Sequence, residues 1–431
     1  MSVAEADSVL PPTGGAGGIG GSSPLDGTVL PPPGGAGGIG GSSPLDGTAI
    51  RVIDADTHLT EPADLWTARM PERFRDRAPR VERDGATGAL RWRIGDRWCS
   101  LVGNYSIAGW PEFPPSCPPT LEEADAACYD VGARLAYMDA NGIGVQVLYP
   151  NVIAFEGHAF LALRDQALQL ACVRTYNDYQ AEFASAAPER FVRMAMLPFW
   201  DLEESVRELR RCHAMGHRGM LWAATLDKHG LPDFTDPYWD PLYAVAQDLG
   251  MSVNFHVGVG NTAEEIEQAM NRAGYDPAFH TARSSMTFIG NARTIGTLLT
   301  SGVCDRFPRL NFVSVESGFG YIPFLLESLD WQWMGTGAHR RYPDRLMPSD
   351  YFRRQVYTMF WFERDTLELL PRYQDNVMFE TDFPHPTSLS PGPASYAPPP
   401  AEVIRRDTEI VGAPVMRKVL HENAARVYHL D

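Results

Sequence analysis

Residues 50–58 read IRVIDADTH, in which an apolar run leads directly into Asp56 and His58. Two later segments have the same form: residues 251–256 (MSVNFH) end in His256, and residues 376–382 (NVMFETD) end in Asp382. Each polar group follows an apolar β-run at the point where a loop begins. In a parallel barrel, this is the edge that carries the functional groups. The three segments therefore predict a barrel whose site lies at the carboxyl ends of its strands.

Apolar β-runs alternate with helical stretches from residue 49 onward, as is typical of βα units around a parallel sheet. Amphipathic helices are expected at residues 164–185, 203–215 and 241–249. We therefore expect an α/β fold, a distorted (β/α)8 TIM barrel. The predicted strands cover residues 50–55, 144–149, 191–197, 219–223, 251–256, 310–316, 356–360 and 376–380.

Residues beyond those of a bare barrel of about 250 residues are expected in insertions. The largest follows the first strand, at about residues 59–125, and contains a two-stranded ribbon at 90–102 that turns at Gly95 and Asp96. A second insertion covers residues 334–350. A proline-rich loop at 384–400 follows the last strand.

The first 48 residues differ in kind, because residues 9–28 recur at 29–48 with Thr13 replaced by Pro33. Glycine, proline and serine dominate this repeat, so it has too little apolar surface to offset the entropy of ordering. We expect a disordered leader or linker at residues 1–48 and one barrel domain at 49–431. A docking peptide for a partner is the alternative role of the repeat.

Composition limits the classes of partner. The 37 basic and 54 acidic residues give a net charge of -17, so nucleic acids and anionic membranes are poor partners. The six cysteines form no C-x-x-C pair, and no apolar run approaches the roughly 20 residues that span a bilayer. We expect a reduced, cytoplasmic protein.

The polar groups at the strand ends are candidate metal ligands. Alternation along a strand places Asp56 and His58 on the same face. Together with His256 and Asp382 they form a carboxylate and imidazole set that suits Zn²⁺, with Mn²⁺ or Fe²⁺ as alternatives. Each of these residues alone could instead cap a helix or satisfy a buried amide. Their joint placement at strands one, five and eight favours one divalent metal ion.

The segments IDADTH (53–58), FHVG (255–258) and FETDFPH (379–385) resemble the signature of the amidohydrolase-related family, which includes decarboxylases of aminocarboxymuconate semialdehyde and of resorcylate. The resemblance implies a distorted TIM barrel with one divalent metal held by Asp56, His58, His256 and Asp382. Family members begin with His-x-His or Glu-x-His, so Asp56 is a departure. A carboxylate there is chemically equivalent as a ligand.

A second departure lies at the end of strand six. Family decarboxylases carry a proton-transferring histidine there, whereas this chain has Glu316. Glu316 can act as an acid or base, can ligate the metal, or can simply accept hydrogen bonds. Strand four offers no lysine to bridge two metals, which favours a mononuclear centre. We expect Asp382, Glu316 and His256 to be the catalytic residues.

Two mechanisms fit these residues. One is non-oxidative decarboxylation of a small aromatic or cyclic carboxylate by a carboxy-lyase, which the resemblance favours. The other is metal-assisted hydrolysis of an amide, lactone or ester bond. A barrel that has lost catalysis and serves as a binding module is a third hypothesis, against which the intact ligand set argues.

Bulky residues are expected around the mouth of the barrel and favour a flat or apolar small-molecule substrate. We predict substrate contacts from Trp222, Phe319, Phe383 and His385, with Trp110 and Tyr321 as further lining residues. Arg193 and Arg283 could meet a carboxylate, although surface roles fit both. The wide apolar stripe at residues 320–332 suggests a homodimer.

Overall fold

Eight parallel strands form the centre of the fold in the computed structural model, which describes residues 43–45, 48–151, 158–257 and 276–430. Each strand pairs with the next in chain order, as in a (β/α)8 barrel. The predicted fold class is confirmed, and all eight predicted strands are present. They are β1 (Val52–Leu59), β2 (Ile143–Pro150), β3 (Phe191–Ala195), β4 (Gly219–Leu221), β5 (Ser252–His256), β6 (Phe312–Val315), β7 (Val356–Phe360) and β8 (Val377–Phe379).

The barrel closes between β1 and the segment that follows β8. The amide of Asp382 donates to the carbonyl of Asp56 at 3.0 Å, and the amide of His58 donates to the carbonyl of Phe383 at 2.7 Å. The Asp54 carboxylate accepts hydrogen bonds from the amide of Thr381 at 2.8 Å and from its hydroxyl at 2.6 Å. These bonds form the closure seam and bring the two ends of the barrel sequence together.

The first strand is longer than predicted, and this is a correction. The sequence places Asp56 and His58 after the strand, whereas β1 continues to Leu59 and is buried along its whole length. Its extension arises because residues 57–59 pair with residues 148–150 of β2 and Thr57 bridges Phe383. Both candidate ligands therefore lie within a strand that is paired on both sides.

Helices surround the barrel and are capped in the way their sequences favour. The side chains of Asp130, Asp165 and Asp201 each accept a hydrogen bond from an amide in the first turn of the following helix. Among the described residues, the helices of eight or more residues are α1 (Val131–Ala140), α2 (Gln166–Ala184), α3 (Leu202–Ala214), α4 (Asp240–Leu249), α5 (Pro277–Phe288), α6 (Ala292–Ser301), α7 (Ile322–Gly335), α8 (Pro348–Gln355) and α9 (Pro400–Val411). None of the described helices is long and apolar enough to span a membrane.

Shorter elements complete the described structure. Short α-helices cover Leu65–Arg69, Glu72–Arg75, Val303–Arg306, Ala338–Arg341, Leu370–Tyr373, Ala413–Arg417 and Asn423–Tyr428. Single 3-10 turns cover Leu121–Glu123, Ala126–Cys128, His158–Leu163, Leu226–His229, Pro237–Trp239 and Leu367–Leu369, and a π-helical turn covers Lys418–Glu422.

Two layers of apolar side chains form the core. Inward-facing residues such as Ile53, Val145 and Val313 fill the barrel, and Val427 and Tyr428 of the last helix belong to the same cluster. A larger cluster packs between β-strands and the surrounding helices. Because both faces of the parallel strands are covered, the strands read as apolar runs. This property made them recognisable in the sequence.

The insertion after β1 contains the predicted ribbon. Leu90–Ile94 pairs antiparallel with Arg97–Leu101, and Gly95 adopts the positive φ of 58° that suits a two-residue turn. A third strand, Arg80–Arg83, joins this sheet and was not predicted. The second insertion begins inside α7, which reaches Gly335, and continues through the helix Ala338–Arg341.

Two further predictions, the disorder of the repeat and self-association, are not tested by the structure. The repeat at residues 1–48 lies outside the described residues except for Ser43–Leu45 and Thr48, where a short antiparallel ribbon pairs Ser43–Leu45 with Thr48–Ile50. Its predicted disorder stays a prediction. The apolar stripe at 320–332 lies on α7, where Phe324 and Trp331 are exposed, and self-association also stays a prediction.

We expect the closure seam to depend on Asp54. Asp54→Ala removes the acceptor for two buried donors of Thr381 and should lower the free energy of unfolding by about 3 kcal/mol. The matched control is Asp64→Ala, because Asp64 is exposed and its side chain caps no amide. Urea denaturation at equal metal content measures both variants. An Asp54 effect no larger than that of the control would contradict this role of the seam.

Candidate metal centre

The structure brings the four predicted ligands together at the carboxyl end of the barrel. The Nε2 atom of His58 lies 3.5 Å from Oδ1 of Asp56 and 3.2 Å from Oδ1 of Asp382. The Nε2 atom of His256 lies 3.4 Å from Oδ2 of Asp56. All four side chains are buried. Four groups from β1, β5 and the segment after β8 therefore surround one small volume.

Local backbone geometry aims two of the acidic groups at this volume. Asp382 and Glu316 both have positive φ angles, of 58° and 52°. Glu316 directly follows β6, and Asp382 lies three residues after the end of β8. Residues with a Cβ rarely adopt this region, and such strained positions cluster at functional sites. The carboxylates of both residues lie at the same volume, since single donor atoms of Asp56, Glu316 and Asp382 are within 4.8 Å of one another.

Hydrogen bonds hold the two candidate histidine ligands as neutral imidazoles. Nδ1 of His58 lies 2.7 Å from the carbonyl of Pro150, and Nδ1 of His256 lies 2.8 Å from the carbonyl of Val257. Because a carbonyl can only accept, each Nδ1 carries the proton and each Nε2 directs its lone pair at the carboxylates. Burial lowers the pKa of both imidazoles to about 4. Neutral imidazole is the form that binds a metal.

Asp382 is held in its ionised form. Burial alone would raise its pKa, but the neighbouring His385 imidazole outweighs this and lowers the pKa below its ordinary value. Nδ1 of His385 lies 2.9 Å from Oδ1 of Asp382, and the Thr387 hydroxyl donates to Oδ2. His385 also stacks on His58 at 3.7 Å and contacts Oδ1 of Asn151 at 2.9 Å. These contacts orient the carboxylate from outside the ligand set.

Three other carboxyl groups crowd the same volume. Burial, together with neighbouring negative charge, raises the pKa values of Asp56, Glu316 and Glu380 well above the ordinary range. Neither oxygen of Asp56 accepts a hydrogen bond from an amide or a hydroxyl among the described residues, and the Glu380 carboxyl is its hydrogen-bonding neighbour. Glu316 lies 3.6 Å from Nδ1 of His256, and its amide donates to Glu380 at 3.2 Å.

This arrangement fits a divalent cation. Single donor atoms from Asp56, His58 and His256 lie within 4.8 Å of one another, as do those from Asp56, Glu316 and Asp382. Buried carboxylates that face imidazole lone pairs repel one another unless protons or a cation lie between them. Mixed oxygen and nitrogen donors are those that Zn²⁺ and Mn²⁺ accept.

Sequence reasoning missed Glu380. It lies two residues before Asp382 in the segment FETD and is fully buried. The alternation that pairs Asp56 with His58 applies equally to Glu380 and Asp382, so this signal could have identified it. Asn151 and Thr387 were also missed, and only their spatial contacts with His385 and Asp382 identify them.

The structure places three of the four predicted substrate contacts in buried packing contacts, and their role in substrate binding stays a prediction. Trp222 lies in the core, where its indole donates to the Tyr243 hydroxyl at 3.1 Å. Phe319 belongs to the same core cluster. Phe383 packs on Tyr137, with ring centroids 4.1 Å apart. These rings are buried because packing against apolar neighbours is more favourable than exposure to solvent at the mouth of the barrel. The fourth residue, His385, is at the centre.

The other residues predicted to line the mouth of the barrel also lie in different parts of the structure. Arg193 donates to the carbonyl of Gly216 and does not join the centre. Arg283 lies on α5. Tyr321 precedes α7 and is partly buried against the core. Trp110, in contrast, lines a cleft that also includes His385.

The sequence and the fold are similar to those of known proteins. A family model described as Amidohydrolase matches residues 53–430. The chain is 27% identical over 260 residues to gamma-resorcylate decarboxylase of Rhizobium sp. (strain MTP-10005), covering 58% of this chain and 76% of that protein.

Solved structures share the fold. An amidohydrolase from Mycobacterium avium subsp. paratuberculosis K-10 superposes with a TM-score of 0.65 at 21% identity, covering 88% of this chain and 98% of that one. A dihydroxybenzoic acid decarboxylase from Polaromonas sp. JS666, with bound manganese and the inhibitor 2-nitroresorcinol, has a TM-score of 0.54 at 19% identity, covering 88% and 97%.

The ligand geometry predicts that metal binding depends on Asp382. Purified protein should contain about one equivalent of a divalent metal, and Asp382→Ala should weaken binding by about 100-fold or more. Elemental analysis and calorimetric titration of chelator-treated protein with Zn²⁺ and with Mn²⁺ measure this. Asp375→Ala is the control, since Asp375 pairs on the surface with Lys418. Equal affinity in the two variants would contradict the assignment.

The contact from Thr387 should tune the same affinity. Thr387→Val keeps the shape of the side chain but removes the donor to Asp382, and we expect roughly tenfold weaker metal binding. The control is Thr408→Val, because the Thr408 hydroxyl bonds only within α9, to the carbonyl of Ile404. The same titration applies. Unchanged affinity in Thr387→Val would show that this hydroxyl does not orient the ligand.

Proposed function

This chain belongs to the amidohydrolase family, and from that membership we propose that it is a metal-dependent carboxy-lyase acting on a small aromatic carboxylic acid. The observation that carries the proposal is the convergence of Asp56, His58, His256 and Asp382 on one buried volume. The similarity to gamma-resorcylate decarboxylase supports decarboxylation as the reaction. A decarboxylation of this type needs no oxidant.

We propose that these four residues hold one divalent ion. Zn²⁺ is our preferred metal because two imidazoles contribute, and Mn²⁺ is the alternative because the structural neighbour from Polaromonas carries it. When bound, the ion supplies positive charge against which a substrate carboxylate and a neighbouring oxygen can be held. Asp382, kept ionised by His385 and Thr387, contributes a fixed negative ligand.

Glu316 is our candidate for the proton donor. Its side chain is 11% exposed, whereas those of Asp56, His256 and Asp382 are 0% exposed, so it is the carboxyl group with access to an entering substrate. Burial raises its pKa well above the ordinary range, which favours a retained proton. In the proposed step, this proton passes to the ring carbon that bears the carboxylate.

The bond changes of this step balance without a further reactant. As the proton reaches the ring carbon, the bond from that carbon to the carboxylate breaks and CO₂ leaves. The electron pair of the broken bond remains with the ring carbon and forms the new bond to hydrogen. Water then restores the proton of Glu316. His256 lies 3.6 Å from Glu316 and helps to fix its position.

The proposal is tested by the products of the metal-loaded protein. We expect CO₂ release, in equal amount to substrate loss, from at least one member of a panel of mono- and dihydroxybenzoates. A matched panel of aromatic amides, esters and lactones should remain intact. Hydrolysis of that second panel without CO₂ release would replace the carboxy-lyase by a hydrolase. Inactivity on both panels, with metal bound, would favour the binding-module hypothesis.

Glu316→Gln should separate proton transfer from metal binding. We expect the variant to retain its metal and to lose about 100-fold or more in kcat, because an amide cannot donate the required proton. The control Glu327→Gln changes an exposed position on α7 and should leave kcat unchanged. Loss of the metal from Glu316→Gln would instead make Glu316 a ligand. Full activity would remove it from the mechanism.

A further inference from the structure

A narrow cleft lies between the insertion after β1 and the loop after β8. Its lining includes Ile107, Trp110 and Glu112 from the insertion and His385, Ser388 and Ser395 from the loop. His385 belongs to both the cleft and the metal centre, since its Nδ1 lies 2.9 Å from Asp382. None of the four candidate ligands is among the described lining residues, so His385 is the side chain that the cleft and the metal centre share.

The two walls are held differently at their two ends. At the inner end, the amides of Ile107 and Ala108 both donate to the carbonyl of Pro384 at 3.1 Å. At the outer end, the rings of Phe113 and Tyr396 stack at 6.0 Å, and these side chains are 54% and 94% exposed. The cleft has about 20 Å³ of free space, room for one water molecule. An entering ring must part the walls, and the exposed outer end offers the weaker resistance.

Trp110 presents its apolar ring to this cleft. Its indole N–H is already used, because it donates to the Ser116 hydroxyl at 3.0 Å, and that hydroxyl donates to Glu112 at 2.6 Å. This chain of hydrogen bonds fixes the orientation of the indole. What remains available to a ligand is ring surface, which packs well on another flat ring.

The charge of the cleft lining determines whether the charged end or the uncharged end of a ligand can bind there. No lysine or arginine occurs among the described lining residues, and Glu112 brings a negative charge. A ligand carboxylate would therefore be repelled here. The same carboxylate is favoured at the metal end, where the bound cation attracts it. The two ends thus orient an aromatic acid with its ring toward Trp110.

We propose that Trp110 is a specificity-determining residue that contacts the ring of the substrate, an inference that rests on the proposed function. The cleft selects flat aromatic acids with neutral hydroxyl or amino groups at the far end of the ring. It discriminates against non-planar acids through Trp110 and against acids with a second carboxylate through Glu112. The substrate class is accordingly a hydroxylated or amino-substituted benzoate with a single carboxylate.

Binding to the metal-loaded protein tests the role of Trp110 without relying on turnover. The probes are 2,6-dihydroxybenzoate, which is flat, and cyclohexanecarboxylate, which is not, each titrated by calorimetry. Trp110→Ala should weaken binding of the flat acid by about tenfold and leave the non-planar acid almost unchanged. Trp110→Phe should retain most of the affinity, because it keeps a ring.

A matched control is Trp98→Ala. Trp98 is a half-buried tryptophan of the same insertion, packed under Arg93 and outside the cleft lining. This control should bind both probes like the wild type. Equal losses for the two acids in Trp110→Ala, or no loss for either, would overturn the proposal. So would the absence of any binding of 2,6-dihydroxybenzoate to the metal-loaded wild type.

Glu112→Gln tests the charge at the outer end. The measured quantity is the affinity for benzene-1,3-dicarboxylate divided by the affinity for 3-hydroxybenzoate. This ratio should be about threefold higher in Glu112→Gln than in the wild type. The change is modest because solvent partly screens the exposed Glu112. An unchanged ratio would overturn this part of the proposal. Binding that depends on Trp110, in a protein that releases no CO₂, would contradict the proposed function and leave the ring contact in place.

Discussion

Five carboxyl groups are buried in the small region around the seam between β1 and β8, and the rest of the site is arranged around the repulsion among them. They are Asp54, Asp56, Glu316, Glu380 and Asp382. A buried charge without a partner costs several kcal/mol, so each group requires compensation. Thr381 compensates Asp54, and His385 with Thr387 compensates Asp382. Glu380 accepts one hydrogen bond from the Glu316 amide, and the remaining charge of Asp56, Glu316 and Glu380 is left to protons or to a cation.

The residues of the closure seam contribute both to the stability of the barrel and to the candidate metal site. The backbone bonds that close the barrel run from Asp382 to Asp56 and from His58 to Phe383, so three candidate ligands sit on the closing strands. The buried guanidinium of Arg134 donates to the carbonyl of His58 at 2.6 Å and to Gln146 at 3.2 Å. A change at the seam therefore alters ligand spacing as well as the free energy of unfolding.

The insertion after β1 contributes to the site through polar contacts. Asn151, which holds His385, donates to the Thr60 hydroxyl at 2.6 Å and to the Ser106 hydroxyl at 3.1 Å. Ser106 belongs to the insertion, so this segment is tied to the contacts around Asp382. The segment that supplies Trp110 is thereby fixed relative to the candidate metal ligands. The bare barrel has no equivalent of this wall.

The sequence by itself determined the strand order, the barrel class and the four candidate ligands. It could do so because strands covered on both faces are apolar along their length, and the polar residues that interrupt them at the carboxyl ends are conspicuous. Tertiary structure alone decided which aromatic residues face the site. Trp222 and Phe319 follow strands just as the ligands do, yet pack into the core. An apolar ring can lie either in the core or at the mouth of the barrel, so its place in the sequence does not decide between them. A buried carboxylate needs a compensating partner. Only the fold shows which partners are near.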